Sequence, residues 1–273
     1  MKRHCKAITI LSVAILALVP AARAQNAKAT MTIWKARRAL PENIAVARIW
    51  GPMNGKIDPN SFRITEDRVE FDGVSHKRHF VIDLTQLGSV TVGCRGGHVA
   101  GCTLRDTEGK KLSSELSRLF WNDYTIHLLT TPPACSPECE RQANVFADAL
   151  NKLSSFAIDK NNPLHDFSTH AAEWRALATK PPLPDAVRVR RLMAEDSLKN
   201  QKPQDALTYY EQGLEIYSLW PEGWYNASLV AGALSDYSIA IEFMRNYLLL
   251  VPNAADAQAA HDQIEIWKIK AGQ

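Results

Sequence analysis

The sequence predicts an α+β protein, in which an antiparallel, β-rich N-terminal domain closed by a helix precedes an all-α array of helical hairpins. Three observations support this prediction. Residues 44–130 alternate short runs of β-branched and aromatic residues with clusters of Gly, Asn, Asp and Pro, which is typical of strands joined by turns. Residues 136–156 carry apolar side chains at helical spacing. From residue 185 onwards, one helical pattern occurs twice in succession.

Residues 1–24 have the three-part layout of a secretory signal peptide. A basic start precedes an apolar run from Ala7 to Val19, and the small-residue stop Ala22-Arg23-Ala24 follows. That run is clearly shorter than a membrane-spanning helix, which needs about 20 residues. An uncleaved anchor is therefore the weaker alternative. We expect cleavage between Ala24 and Gln25, which makes the mature chain periplasmic or secreted.

Charge argues against nucleic acid as a partner. The full chain has 32 basic and 29 acidic residues, but four of the basic ones lie within residues 1–24. The mature chain then has 28 basic against 29 acidic side chains, a net charge of −1. Proteins that bind nucleic acid normally carry an excess of basic residues. No later apolar stretch approaches a spanning length, so we also expect the mature protein not to span a membrane.

Within the β-rich part, the stretch "FRITEDRVEF" (62–71) places an acidic pair between two alternating halves and predicts a hairpin. A helix follows in "SPECERQANVFADALNKLSSF" (136–156), where Ser136-Pro137-Glu138 supplies the start. The apolar face of that helix consists of Ala143, Phe146, Ala147, Leu150 and Leu153.

The order of "FVIDLTQLGSVTV", "CTLRDTEGKKL", "TIHLLT" and "ERQANVFADALNKL" resembles a pleckstrin-homology-like domain over residues 60–155. The resemblance implies a small bent β-sandwich finished by a C-terminal helix, in a class that binds lipid headgroups, peptides or proteins. We assign residues 25–160 to this domain. Residues 161–184 form a connector, because Pro181, Pro182 and Pro184 cannot continue a helix.

Four cysteines follow the signal peptide: Cys94, Cys102, Cys135 and Cys139. An even number in an exported protein favours disulfides, and four cysteines allow three pairings. We prefer Cys94–Cys102, since the glycines between them permit a tight reversal, together with Cys135–Cys139. A zinc site that recruits His98 is the alternative. The spacings C-x7-C and C-x3-C lack the CxxC pairs of ordinary zinc modules, so we expect no metal.

The C-terminal third contains two copies of one pattern. The register that places Ala206 on Ala240 also places Tyr210 on Met244, and each copy is typical of a helix, a turn and a second helix. With Trp224 as the first aromatic residue of the second copy, residues 186–253 resemble the tetratricopeptide repeat (TPR), whose period of about 34 residues matches this register. The resemblance implies two stacked helical hairpins with the alanines at close helix contacts.

The array, assigned to residues 185–273, ends in "ADAQAAHDQIEIWKIK", which we expect to be a closing helix. Two hairpins cannot cover their own apolar faces, so we expect the array to pack on the connector helix around Trp174 or on the β domain. In TPR arrays the first helix of each unit faces a groove that binds a partner. By this resemblance, the candidate partner-binding residues are Arg188, Arg191, Glu222, Tyr225, Leu229 and Asp256. An ordinary solvated helix face is the alternative.

The chain lacks the usual catalytic motifs, including G-x-S-x-G, the P-loop and H-E-x-x-H. We therefore expect a non-enzymatic protein without a cofactor: an exported scaffold or adaptor that binds a protein or peptide through the repeat groove. One alternative is binding of envelope lipid headgroups or cell-wall fragments by the β domain, with the repeats as support. Another is an enzyme with an unrecognised site.

Overall fold

The computed structural model describes residues 31–44, 48–49, 55–56, 58–73, 78–95, 101–106, 125–129 and 137–272. The predicted signal peptide, His98 and Cys135 lie outside these ranges. Within them the protein is α+β, with eight α-helices, most of them C-terminal, and small antiparallel sheets. Residues 32–273 belong to one compact unit. None of the described helices is both long enough and apolar enough to cross a bilayer.

The first described element is a helix, α1 (Ile33–Ile44). Its start is capped by the Thr32 hydroxyl, which accepts a hydrogen bond from the backbone N–H of Lys35 at 3.1 Å. The strand pattern expected from residue 44 onwards begins later, because Ile44 is the last residue of this helix. Nothing in the sequence pattern predicted α1.

The strands form three sheets among the described residues. Their bounds are Arg48–Ile49 (β1), Gly55–Lys56 (β2), Arg63–Ile64 (β3), Arg68–Gly73 (β4), Arg78–Asp83 (β5), Val90–Arg95 (β6), Gly101–Asp106 (β7) and Thr125–Leu129 (β8). A short 3₁₀ turn, Pro59–Ser61, precedes β3. The pairings β1–β2, β3–β4–β5 and β6–β7–β8 are all antiparallel.

The predicted hairpin of "FRITEDRVEF" is confirmed, because Ile64 lies opposite Val69 in the β3–β4 pair. Alternate residues of β4 and β5 point into the core, where Phe71 stacks on Phe80 with ring centroids 5.3 Å apart. The described strands form separate sheets, so closure into a pleckstrin-homology-like sandwich stays a prediction.

Helix α2 (Pro137–Ile158) confirms the predicted helix and packs on β6 and β7. All five predicted apolar-face residues are buried. Two polar side chains attach the helix to the strands. Asn151 accepts from the backbone N–H of Val90 at 2.7 Å and donates to its carbonyl at 2.9 Å. The Ser154 hydroxyl donates to the Leu84 carbonyl at 2.9 Å.

The remaining helices are α3 (Phe167–Ala176), α4 (Asp185–Lys199), α5 (Pro203–Ile216), α6 (Pro221–Ala233), α7 (Tyr237–Leu250) and α8 (Ala257–Ala271). Helix α4 packs on α5, α6 on α7, and α8 on α7. Helix α8 is thus the expected closing helix, with Trp267 buried against the array. Helix α3, which lies within the connector, packs on α7. Its Trp174 side chain belongs to the hydrophobic core of the helical array.

The turns of the two hairpins share one backbone pattern, in the register that places Ala206 on Ala240. Gln201 and Ser235 both adopt a left-handed conformation, with φ of 56° and 64°. The hydrogen bond from the Lys202 N–H to the Ser197 carbonyl corresponds to that from Asp236 to Ala231. Two neighbouring turn bonds repeat in the same way. This agreement supports the duplication that the sequence predicts.

The predicted small-residue contacts occupy matching places. Ala206 is the fourth residue of α5 and Ala240 the fourth residue of α7, and both are fully buried. Tyr210 and Met244, one turn further along, are also buried. A larger side chain at either alanine would overpack the helix contact.

Helix α1 shares the core of the array. The Trp34 ring meets the Trp224 and Phe243 rings edge to face, with centroids 5.6 and 5.0 Å apart. Helix α1 also packs along α2. The N-terminal segment therefore joins the β-rich part to the core of the helical array.

Candidate functional site

The connector, the helical hairpins and the turn after α7 surround a cavity of about 540 Å³. The residues that give it chemical character are Trp174, Lys180, Arg191, Tyr217, Trp220 and Glu222. A cavity of this size lies within the range of about 300–1,000 Å³ that is typical of ligand pockets.

One wall of the cavity is formed by the end of α3 and the part of the connector that follows it. The Lys180 ammonium lies 4.8 Å from the centre of the Trp174 ring, within range of a cation–π interaction. The same ammonium donates to the carbonyl oxygens of Arg175 and Leu177, at 3.1 and 2.6 Å. Lys180 therefore caps carbonyl groups at the C-terminal end of α3 and contacts the Trp174 ring.

Buried polar atoms cluster around this cavity. Four buried side-chain nitrogen or oxygen atoms in the described part of the chain have no hydrogen-bond partner. Three of them belong to residues that line the cavity: Trp174 Nε1, Arg191 Nε and the Tyr217 hydroxyl. Buried polar groups are normally paired, and each unpaired one destabilises the protein by about 1–3 kcal/mol.

A second polar group closes one side of the cavity. The Tyr247 hydroxyl donates to Asp256 at 2.5 Å, and the Tyr225 ring lies 5.1 Å from the Tyr247 ring. Burial and then the hydrogen bond to Asp256 hold the pKa of Tyr247 above its ordinary value. The hydroxyl therefore stays protonated and keeps Asp256 in place.

The six predicted partner-binding residues differ in how they relate to the cavity: some line it, some contact a lining residue, and some lie outside it. Arg191 and Glu222 line it. Tyr225 and Asp256 do not line it, but both contact Tyr247, which does. The remaining two lie outside the lining.

Arg188 is exposed and pairs with Asp185 at 2.8 Å, within its own helix. Leu229 is 41% exposed, one turn beyond Tyr225 on α6. Leu229 thus extends the apolar surface of α6 outside the cavity.

The partner-binding residues predicted from the sequence do not include four residues that line the cavity: Trp174, Lys180, Tyr217 and Trp220. The TPR resemblance directs attention to the first helix of each unit, whereas these residues lie in the connector and in the segment between the hairpins. A usable signal was present, because the connector places a tryptophan and a lysine just before a proline run. Such a segment is rigid and presents an aromatic ring.

The opposite side of the array is covered by α1. Arg38 lies between Glu211, at 2.7 Å, and Asp236, at 3.1 Å. Glu211 also accepts a short hydrogen bond from the Thr32 hydroxyl, and Glu215 accepts from the backbone N–H of Ile33 at 2.6 Å. Helix α1 and the residue before it therefore contact the second helix of the first hairpin and the residue that precedes the second helix of the other hairpin.

Among the cysteines, the β6–β7 register places Cys94 directly opposite Cys102, as a Cys94–Cys102 bond requires. Cys139 lies in the first turn of α2. Both preferred pairings stay predictions.

Compared with known proteins, the sequence matches no protein-family model and no curated protein.

Proposed function

We propose that the protein is an exported, non-enzymatic scaffold that binds a protein or peptide partner on a TPR-like helical array. The observation that supports this most directly is the cavity of about 540 Å³ between the connector, the helical hairpins and the turn after α7. A cavity of this size suits recognition of a side chain or short segment of a second molecule.

The lining chemistry favours binding over catalysis. The lining includes Trp174, Tyr217, Trp220 and Arg191, and tryptophan, tyrosine and arginine are the residue types that dominate binding hot spots. Among the described residues, the lining contains no Ser, Cys or His that could serve as a nucleophile or general base. The lysine at its edge is already held by two carbonyl oxygens.

The arrangement of faces also supports this proposal. Helix α1 contacts the second helices of both hairpins through Glu211, Glu215 and Glu242, whereas Leu229 is exposed on the first helix of the second hairpin. Partner binding there would leave the α1 contacts intact. We advance no second function, since no contact among the described strand residues favours lipid or cell-wall binding.

The experiment is site-specific photo-cross-linking in the native cell, with the full-length chain. A photoreactive phenylalanine analogue at Leu229 should give a discrete adduct, and Arg191→Glu should remove it. Arg245 is exposed on α7, two residues and about 200° from Tyr247 around the helix. The analogue at Arg245 should give no such adduct, and Arg245→Glu should leave the Leu229 adduct unchanged. Equal cross-linking at both positions would count against the proposal.

A further inference from the structure

We infer that the outer face of α8 joins two copies of this chain into a weak antiparallel dimer. That face is the exposed side of the helix, and it consists of Asp262, Glu265, Ile266 and Ile269, with Lys268 at its edge. The inference goes beyond the proposed function, because it adds a second interaction surface, whose occupant is another copy of the same chain.

Ile269 is the most exposed large apolar side chain in the described part of the chain, at 77%. The inner side of α8 packs on α7 and buries Ile264 and Trp267. Ile269 points the other way, since it lies two residues, or about 200° around the helix, from Trp267. Ile266 is 44% exposed and lies three residues before Ile269, so the two side chains are neighbours on the outer face.

The position of α8 makes these isoleucines unusual. An array of stacked helices normally ends in a helix with a polar outer face, which keeps the array soluble. Helix α8 closes the array, yet Ile266 and Ile269 lie side by side at the centre of its outer face. Removing their apolar surface from water favours association with a second surface.

The charges on α8 select a second copy as the cover. Asp262 and Glu265 lie before the two isoleucines or beside the first, whereas Lys268 and Lys270 lie toward the end of the helix. An antiparallel pair of α8 helices places the acidic half of each against the basic half of the other. A parallel pair would place like charges together, which is unfavourable. The face is therefore complementary to itself, as a two-fold interface requires.

Glu265 and Lys268 give the antiparallel pair its specific contact. They lie about 40° and about 100° from Ile269 around the helix, on the same side of it. In an antiparallel pair that side meets the same side of the partner, so Glu265 of each copy faces Lys268 of the other. Within one copy the Lys268 ammonium is 2.6 Å from the Glu265 carboxylate, and the two side chains are 33% and 65% exposed. Both groups are therefore accessible to a partner.

The other end of the array offers the main alternative, because Val189 and Leu192 on α4 are 49% and 55% exposed. If α4 of one copy packed on α8 of the next, the contact would be head to tail and would build chains of growing length. The charged side chains on the exposed side of α4 alternate in sign along the helix: Asp185, Arg188, Asp196 and Lys199. Such a pattern has no acidic half to match the basic half of α8.

Sedimentation velocity of the full mature protein, from about 1 to about 300 µM, tests the dimer. Free thiols are blocked by alkylation beforehand, so that disulfides between copies do not contribute. One helix face makes a small interface, so we expect a dissociation constant of roughly 10–100 µM. The mass should rise from one chain to two and stop there. A protein that stays monomeric throughout, which would leave the face to a different partner, or that grows beyond two copies, would overturn the inference.

Variants at the two ends of the array locate the contact. Ile269→Asn changes an exposed side chain, so the variant should fold, and it should weaken dimer formation about tenfold or more. Leu192→Asn on α4 is the matched control and should dimerise like the wild type. Unchanged dimer formation by Ile269→Asn, or equal weakening by both variants, would contradict a contact through α8.

Charge reversal tests the antiparallel orientation. Lys268→Glu places a carboxylate against Glu265 of the other copy, and it should weaken the dimer about threefold or more at low salt. The double variant Glu265→Lys with Lys268→Glu restores opposite charges between the copies, so its dissociation constant should return to the wild-type value. A double variant that dimerises as weakly as Lys268→Glu alone would show that these two residues do not meet across the interface, and the inference would be wrong.

Discussion

Arg38 is the single residue whose loss should most clearly separate α1 from the array. It is the cation between two carboxylates, Glu211 and Asp236, that belong to different hairpins. Arg38→Met keeps much of the length and apolar surface of the side chain but removes the charge. We expect this variant to lose stability in a strongly pH-dependent way.

The magnitude follows from burial. The Glu211 side chain is 0% exposed, and without Arg38 its remaining partner among the described residues is the Thr32 hydroxyl, which is not a cation. Leaving one member of a buried ion pair alone destabilises a protein by about 3–5 kcal/mol. Asp236 is 21% exposed and adds less, because water can partly replace its partner. For a chain of this size, the loss corresponds to about 6–20 °C in melting temperature.

The pH dependence gives a sharper signature. Burial raises the pKa of Glu211 and of Asp236, and in both cases Arg38 opposes that rise. A carboxyl group with a raised folded-state pKa contributes stability that is complete below its unfolded pKa and is lost as pH rises through the folded value. Without Arg38 both pKa values rise further. The free energy of unfolding of the variant should therefore be closest to the wild-type value near pH 4, and the difference between them should grow as the pH increases to 8.

Urea unfolding at pH 4, 6 and 8, followed by far-ultraviolet circular dichroism, measures this difference. The neighbouring Arg37→Met is the matched control. Arg37 pairs with Glu242 at 3.3 Å, Glu242 is 39% exposed, and Trp34 Nε1 still donates to it at 3.2 Å. That variant should lose only about 0.2–1 kcal/mol. Equal losses in the two variants, or a loss from Arg38→Met that does not change with pH, would refute the reasoning.

Two further predictions concern a close packing contact and the cysteines. A methyl group added at Gly223 would lie 2.2 Å from the Trp220 ring, so Gly223→Ala should destabilise by about 1–3 kcal/mol in thermal unfolding. Gly93→Ala, where nothing lies within 4 Å, should change stability by less than about 1 kcal/mol. Alkylation without reductant, followed by peptide mass spectrometry, should leave Cys94 and Cys102 unmodified and linked. Labelling of both thiols under these conditions would contradict the predicted bond.

Local patterns in the sequence were sufficient for much of the fold. The face of α2 was predictable because Phe146 and Leu150 recur at helical spacing, and all of that face is buried. The hairpin at 62–71 was predictable from alternation around a polar turn. The duplicated hairpins were predictable because Ala206 and Ala240 stand at the same position of their helices, one repeat apart. In each case the determining residues are close in sequence or share one register.

Helix α1 could not be predicted in this way. Its segment has a proline at position 41 and no acidic residue in its first turn. Its stability comes from partners that are distant in the sequence, such as Glu211 and Phe243. Local propensity is a weak guide when tertiary contacts provide most of the stabilisation. The site was predicted only in part for the same reason: Arg191 and Glu222 follow from repeat geometry, whereas Trp174 reaches the cavity through the path of the connector.

The two polar regions of the array differ in how their buried groups are paired, and this difference bears on stability. At the α1 interface the buried Glu211 carboxylate receives hydrogen bonds from Arg38 and Thr32, although Arg37 Nε stays unpaired there. The other three unpaired buried atoms found in the described residues belong to side chains that line the cavity. Because each unpaired buried polar atom destabilises the protein by about 1–3 kcal/mol, the surroundings of the cavity lower the free energy of unfolding, whereas the donors to Glu211 raise it.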